Sequence, residues 1–212
     1  MGMVLFRAPP MPVPPAQYSQ QYDTQLIRVL GVYFSQLDSR TPIQSDEFIG
    51  GLFTGYGREL NLPHAMFSST TTQSAALTTA AYAVTFNTTG YTNEITLASS
   101  SRLTATYAGI YNVGIRAQFN NTDTVARGAD IWLRKGGVDV ANSTTTVTVP
   151  LSGDLGASVN WDISLAAGEY AEVMWHATNT LVSLKATGTQ ATPTRPANPS
   201  AIAVVSFISA IP

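Results

Sequence analysis

The chain has 212 residues, of which 44% are hydrophobic and only 11% are charged, and its formal net charge is −2. This balance supports a folded core, and the lack of excess positive charge argues against nucleic acid or an anionic membrane surface as a partner. The sequence contains no cysteine, which excludes disulfides and thiolate metal sites. No apolar run has the length of a membrane span or the pattern of a signal peptide, so neither membrane insertion nor signal-directed export is expected.

Residues 1–16 are predicted to form an extended docking arm. Five prolines occur between Pro9 and Pro15, and proline both fixes φ and removes a backbone donor. The apolar residues Val4, Leu5 and Phe6 precede them. These three residues are the candidates for docking onto the surface of a partner; a mobile terminus is the alternative.

Residues 17–38 are predicted to form a helix, because apolar side chains recur every three or four positions. The resulting stripe contains Tyr22, Leu26, Val29, Leu30, Tyr33, Phe34 and Leu37. An isolated helix of this length is marginal, so the stripe needs a partner. That partner is either the β region of the same chain or further copies of the helix. We favour self-association, since a broad stripe suits bundles of three or more helices.

Residues 39–80 are predicted to be a connector. Glycines punctuate its first half, and its second half is rich in Ser, Thr and Ala and lacks charge, as in spacer segments. His64 falls within this stretch, next to Pro63.

Residues 81–212 show repeated period-two alternation and are predicted to form a β domain. The strongest signal lies in residues 109–119, where the odd positions from Tyr111 to Phe119 are apolar. An earlier strand is expected to end in a turn at residues 87–90. Residues 202–208 are apolar at both parities, which predicts a central strand buried on both faces. About nine or ten such segments, separated by turns, indicate a sandwich or jelly roll.

Two segments of this region resemble C1q/TNF-like domains. Residues 109–113 together with Phe119 resemble a G-x-Y-x-apolar strand of those domains, and residues 167–175 look like one of their later strands. The resemblance covers about residues 81–212. It implies a mainly β, C1q/TNF-like jelly-roll sandwich, here preceded by an α-helix and an extended Pro-rich arm. It also implies a homotrimer whose last strand lies near the trimer axis.

A further similarity is more specific. Residues 130–143, DIWLRKGGVDVANS, are similar to a segment of structural proteins of marine tailed bacteriophages of the cyanophage and pelagiphage type. Residues 193–200 and 25–30 share this similarity. The pair Gly136-Gly137 departs from the commoner Asn-Gly, although both suit a hairpin turn. The resemblance implies a virion surface protein, assembled in the host cytoplasm, with a phage capsid or tail protein as partner.

No motif predicts catalysis, a metal site or a cofactor. The two histidines, His64 and His176, lie in different regions, and no ligand spacing accompanies either of them. No nucleophile elbow, P-loop or zinc-protease motif occurs. The chain is therefore not expected to be an enzyme.

The sequence leaves three functions open. The favoured one is a homotrimeric capsid decoration or head-fibre knob, because a short stalk and a compact head suit that role. The second is a tail-fibre or receptor-binding protein that contacts a host surface glycan, with the aromatic residues Tyr91, Tyr107 and Trp132 as candidate contacts. The third is a free carbohydrate-binding module.

Overall fold

The computed structural model describes residues 20–37 and 62–210. The described part comprises one helix, α1 (Gln20–Leu37), and sixteen strands. The helix belongs to one compact unit, Met1–Gly57, and the strands belong to another, Arg58–Pro212. The strands are β1 (His64–Ser69), β2 (Gln73–Ser74), β3 (Tyr82–Ala83), β4 (Thr88–Asn93), β5 (Ile95–Ala98), β6 (Arg102–Ala105), β7 (Gly109–Asn121), β8 (Arg127–Lys135), β9 (Val138–Asp139), β10 (Thr145–Val149), β11 (Gly153–Leu165), β12 (Tyr170–Ala177), β13 (Val182–Leu184), β14 (Gln190–Ala191), β15 (Thr194–Arg195) and β16 (Ala201–Ser209).

Helix α1 occupies the segment in which the apolar stripe predicts a helix. Four residues of the stripe are half-buried: Tyr22, Leu26, Val29 and Leu30. Phe34 is exposed, and so is the neighbouring Ile27. The side chains of Tyr33 and Leu37 lie outside the described part of the structure.

The β unit is a jelly-roll sandwich of two antiparallel sheets. Sheet I has the order β11, β7, β16, β1, β4, and β13 and β2 continue it beside the last residues of β7. Sheet II has the order β10, β8, β12, β6, β5, with β3 paired to β12 and β9 paired to β8. The chain passes from one sheet to the other between β2 and β3, β3 and β4, β4 and β5, β6 and β7, β7 and β8, β10 and β11, β11 and β12, and β12 and β13. The predicted mainly β jelly-roll class is confirmed.

Strand β7 is central to sheet I and has the predicted alternation. Its odd residues, from Tyr111 to Phe119, are buried between the sheets, and its even residues face outward. Phe119 meets Trp175 of sheet II edge-on, with ring centroids 6.3 Å apart. The two sheets are therefore held together mainly by apolar side chains of β7 and β12 and their neighbours.

The predicted connector, residues 39–80, is wrong in its second half, because the β unit contains β1 and β2. Strand β1 lies between β16 and β4, and its residues Ala65 and Phe67 are fully buried. The predicted turn at residues 87–90 is also wrong, since β4 begins at Thr88. All but the last residue of β4 are exposed, so backbone pairing with β1, rather than burial, keeps it extended.

Strand β16 is central, as predicted, and lies between β7 and β1. Its residues Ala201, Ala203 and Val205 are buried between the sheets. The expected burial of the opposite face is not found within the described residues. There, Ile202 is only half-buried and Val204 keeps 38% of its surface exposed.

Candidate functional site

The outer face of sheet I has an apolar and small-residue centre on β16. The strand register places Val204 between Met66 and Gly114, with Tyr91 beyond Met66 and Asn160 beyond Gly114. We call these five residues the Val204 row. Only the two polar ends of this row, the Tyr91 hydroxyl and the Asn160 amide, offer hydrogen bonds from side chains.

The two neighbouring rows are short and mostly uncharged. One contains Ser68, Ile202, Arg116 and Ser158, and the other contains His64, Ser206, Asn112 and Asp162. In the second row, the Asn112 amide donates to Asp162 at 2.7 Å. Arg116 therefore stands beside β16 and Asp162 lies one strand further away, on β11, while the outward residues of β16 itself are uncharged.

Gly114 lies at the centre of this face and has no side chain that would project from it. A Cβ at this position would collide with the side-chain oxygen of Asn160, which folds over the glycine. A shallow cavity of about 240 Å³ lies there, bordered by Arg116, Ile202 and Val204. The glycine therefore makes room for the Asn160 side chain, and the cavity lies beside it.

The three candidate receptor contacts do not converge on one surface. Tyr91 is 48% exposed at the edge of sheet I, where its ring lies 5.5 Å from that of His64. Tyr107 is 55% exposed in the loop between β6 and β7. Trp132 is half-buried on the outer face of sheet II. Each of the three remains a prediction.

A hydrogen bond holds the Trp132 side chain against the β8–β9 hairpin. Its indole Nε1 donates to Asp139 Oδ1 at 2.9 Å, and Arg134 Nε donates to the same oxygen at 2.7 Å. The turn uses Gly136 and Gly137, whose φ values are +54° and +87°, as the predicted hairpin requires. The hydrogen bond from Arg134, followed by that from Trp132, lowers the pKa of Asp139, so this carboxylate stays ionised.

His176 joins three parts of the chain rather than standing alone on the surface. Its Nε2 lies 2.8 Å from the carbonyl oxygen of Thr78, and its Nδ1 lies 3.0 Å from Asp130 Oδ2. Both partners accept, and protonated imidazole can donate from both nitrogens. The bond to Thr78 and then the bond to Asp130 therefore raise the pKa of His176. Thr146 also donates to Asp130, at 2.6 Å.

These two clusters border one open cavity of about 340 Å³ on sheet II. We call it the Trp132 dish. Its lining consists of Asp130, Trp132, Asp139, Val140, Thr144 and His176. The sequence indicates Trp132 and His176 separately, but not the surface that they share. The predicted Gly-Gly hairpin could have indicated the Asp139 contact, since it folds β9 back beside β8.

The described residues offer no organised catalytic or metal centre. Within residues 20–37 and 62–210, no group of three or more His, Asp and Glu side chains is placed to hold a metal ion. His176 and Asp130 are paired, but His176 Nε2 faces a backbone carbonyl rather than a hydroxyl nucleophile. The described residues contain one helix, α1, and it is not long and apolar enough to cross a membrane.

The predicted docking residues Val4, Leu5 and Phe6 lie outside the described residues. The predicted helix contacts are part of α1 and belong to the other compact unit.

Comparison with known proteins gives a likeness in fold. No protein-family model matches the sequence, and no curated protein matches it. Among solved structures, the globular domain of the zebrafish complement 1qA protein is similar, with 14% sequence identity and a TM-score of 0.46. The similarity covers 71% of this chain and 99% of that chain.

Proposed function

We propose that the chain is a non-enzymatic structural protein of a tailed bacteriophage particle and that it acts as a homotrimer. The observation that supports the assembly is the outer face of sheet I, where the central strand β16 turns Ile202 and Val204 outward. A central strand with apolar residues on both faces is typical of a strand that is covered on both sides. Further copies of the chain are the proposed cover.

The chemistry of this face suits contact between identical subunits. Met66 and Val204 supply apolar area, and each Å² removed from water contributes about 25 cal/mol before ordering costs. The small Ser206 and the cavity beside Val204 leave room for a neighbouring subunit. Homo-oligomers close by symmetry, and three copies around one axis would place each β16 next to that axis.

Helix α1 supports the same assembly. Ile27 and Val32 are exposed on the helix, next to the half-buried Leu26, Val29 and Leu30. A surface helix with apolar residues over so wide an arc is marginal in water without a partner. Three parallel copies would bury this stripe and align the chains.

The place on the particle is proposed from the sequence. Residues 130–143, which are similar to a segment of marine phage structural proteins, contain most of β8, the β8–β9 turn, β9 and the four residues after it, on sheet II. Sheet II is the sheet that a trimer built on sheet I would leave outside. We propose a surface decoration or head-fibre knob of the virion, anchored to a capsid or tail protein through Val4, Leu5 and Phe6.

Light scattering on the full chain tests the trimer. The expected mass is about three times the 22.5 kDa of one chain, and a monomeric mass at micromolar concentration would refute the assembly. Mass spectrometry of purified phage particles tests the location. A variant without residues 1–16 should remain trimeric but fail to enter particles. Normal incorporation of that variant would refute the anchoring role of the arm.

A further inference from the structure

The Trp132 dish is a second surface with ligand-binding features, and it lies on the sheet opposite the proposed trimer contact. Its volume of about 340 Å³ falls within the range of roughly 300–1,000 Å³ that small-molecule sites occupy. It combines an aromatic ring, carboxylates and a hydroxyl within one concave surface. Four of its six lining residues carry polar side chains, which suits a ligand with several hydrogen-bonding groups.

Asp139 is the acceptor in the dish whose carboxylate is already fixed in orientation. Its Oδ1 accepts hydrogen bonds from Trp132 Nε1 and Arg134 Nε, and these two bonds fix the carboxylate in one orientation. Within the described residues, its Oδ2 receives no hydrogen bond. An ionised oxygen held in place beside an indole ring can accept a charge-assisted hydrogen bond without reorganising first.

The other polar groups of the dish differ in availability. Both oxygens of Asp130 are occupied, one by Thr146 and the other by His176. The hydroxyl of Thr144 lines the dish and, within the described residues, has no partner. Asp139 Oδ2 and the Thr144 hydroxyl therefore remain as an acceptor and a donor among the residues that line the dish.

We propose that the Trp132 dish binds a neutral saccharide. The C–H face of a pyranose ring would lie against the Trp132 indole, which offers an apolar body. One sugar hydroxyl would donate to Asp139 Oδ2, and another would accept from Thr144. Two carboxylates border the dish, so a sugar that carries its own carboxylate is disfavoured by like-charge repulsion. The site does not depend on the trimer, because it is built within one chain.

Nuclear magnetic resonance on the ¹⁵N-labelled full chain tests this site. The chain has three tryptophans, and the indole signal of Trp132 reports directly on the dish. Titration with lactose or maltose should move that signal in a saturable way, and 3′-sialyllactose should bind more weakly than lactose. The absence of a saturable shift with all three sugars would overturn the proposal.

Variants separate a specific site from a general surface effect. Asp139→Asn keeps the shape but removes the charge, and it should weaken sugar binding by about tenfold. Trp132→Ala should abolish the sugar-dependent shift at the backbone amide of Val140. Tyr91→Ala, which removes an exposed aromatic from sheet I, is the matched control and should leave binding unchanged.

The two proposals fail in distinguishable ways. Binding that is equal in Asp139→Asn and wild type would overturn the proposed site, whatever the mass of the protein. Sugar binding by a monomeric protein would support the site and refute the trimer. A trimeric protein whose Trp132 indole signal does not shift with any of the sugars would refute the saccharide site and leave the trimer proposal standing.

Discussion

Placing a positive charge on β16 is the sharpest test of the proposed assembly, and Val204→Arg is the variant of choice. Arg116 lies diagonally across from Val204 on the outer face of sheet I. It would pair with an introduced carboxylate, whereas it repels an introduced guanidinium. In a trimer built on this face, each subunit would bury an unpaired charge.

The magnitude follows from the exposure of Val204. Full burial of a valine side chain contributes about 1.5–3 kcal/mol, and Val204 keeps 38% of its surface exposed. Completing that burial is therefore worth roughly 0.5–1 kcal/mol per subunit. An unpaired buried charge costs several kcal/mol, so the affinity between subunits should fall by at least about 100-fold. The folded monomer should lose less than about 1 kcal/mol, because the change lies on its surface.

Light scattering over a concentration series, with thermal unfolding of the same samples, measures both effects. Val138→Arg is the matched control, since Val138 is 72% exposed in the β8–β9 hairpin of sheet II. The control should keep the wild-type mass. If Val204→Arg has the same mass and concentration dependence as wild type, the outer face of sheet I is not the contact between subunits.

Three further perturbations test the core, the protonation of the surface cluster and the helix. Phe119→Ala removes a fully buried ring and should lower the free energy of unfolding by about 3–5 kcal/mol, which is a fall of about 2 M in the urea midpoint. The outward-facing Gln118→Ala is the control and should change the midpoint little. Equal midpoints for the two variants would contradict the packing described. Because the folded-state pKa of His176 is raised, its contribution to stability should be complete below about pH 6.5 and should decline as the pH rises through the raised value. His176→Asn should flatten that decline in melting temperature, and an unchanged slope would count against the bridge to Thr78 and Asp130. Leu26→Lys should weaken the trimer while Gln25→Lys should not; identical masses for both would exclude the helix as an assembly element.

The sequence predicts best those elements whose side-chain pattern is decided locally. Strand β7 was placed correctly because a long stretch with one buried face alternates without interruption from Tyr111 to Phe119. The sequence does not predict strand β1, because small residues obscure its alternation. Its buried positions are Ala65, Phe67 and Ser69, and its partner β16 lies more than a hundred residues away in the chain.

The candidate sites were predictable only in part, for the same reason. The outward apolar residues of β16 break the alternation and predict burial on both faces, whereas the structure buries one face only. The approach of His176 to Asp130 depends on the register of β12 against β8, which no local pattern reveals. Polar contacts between strands distant in sequence are set by pairing, and pairing is determined by the whole sandwich.

The order of strands in sheet I also determines how the β unit can be attached to anything else. Strands β1 and β16 are antiparallel neighbours, with His64 opposite Ser206 and Ser69 opposite Ala201. The chain thus enters β1 and leaves β16 at one pole of the sandwich, while the exposed β14–β15 hairpin, which precedes β16, belongs to the opposite pole. A peptide inserted into residues 188–197 would therefore be displayed at the pole opposite the one where the chain enters β1. A fusion partner added after β16 would lie at the same pole as that entry and would compete with the preceding segment for space.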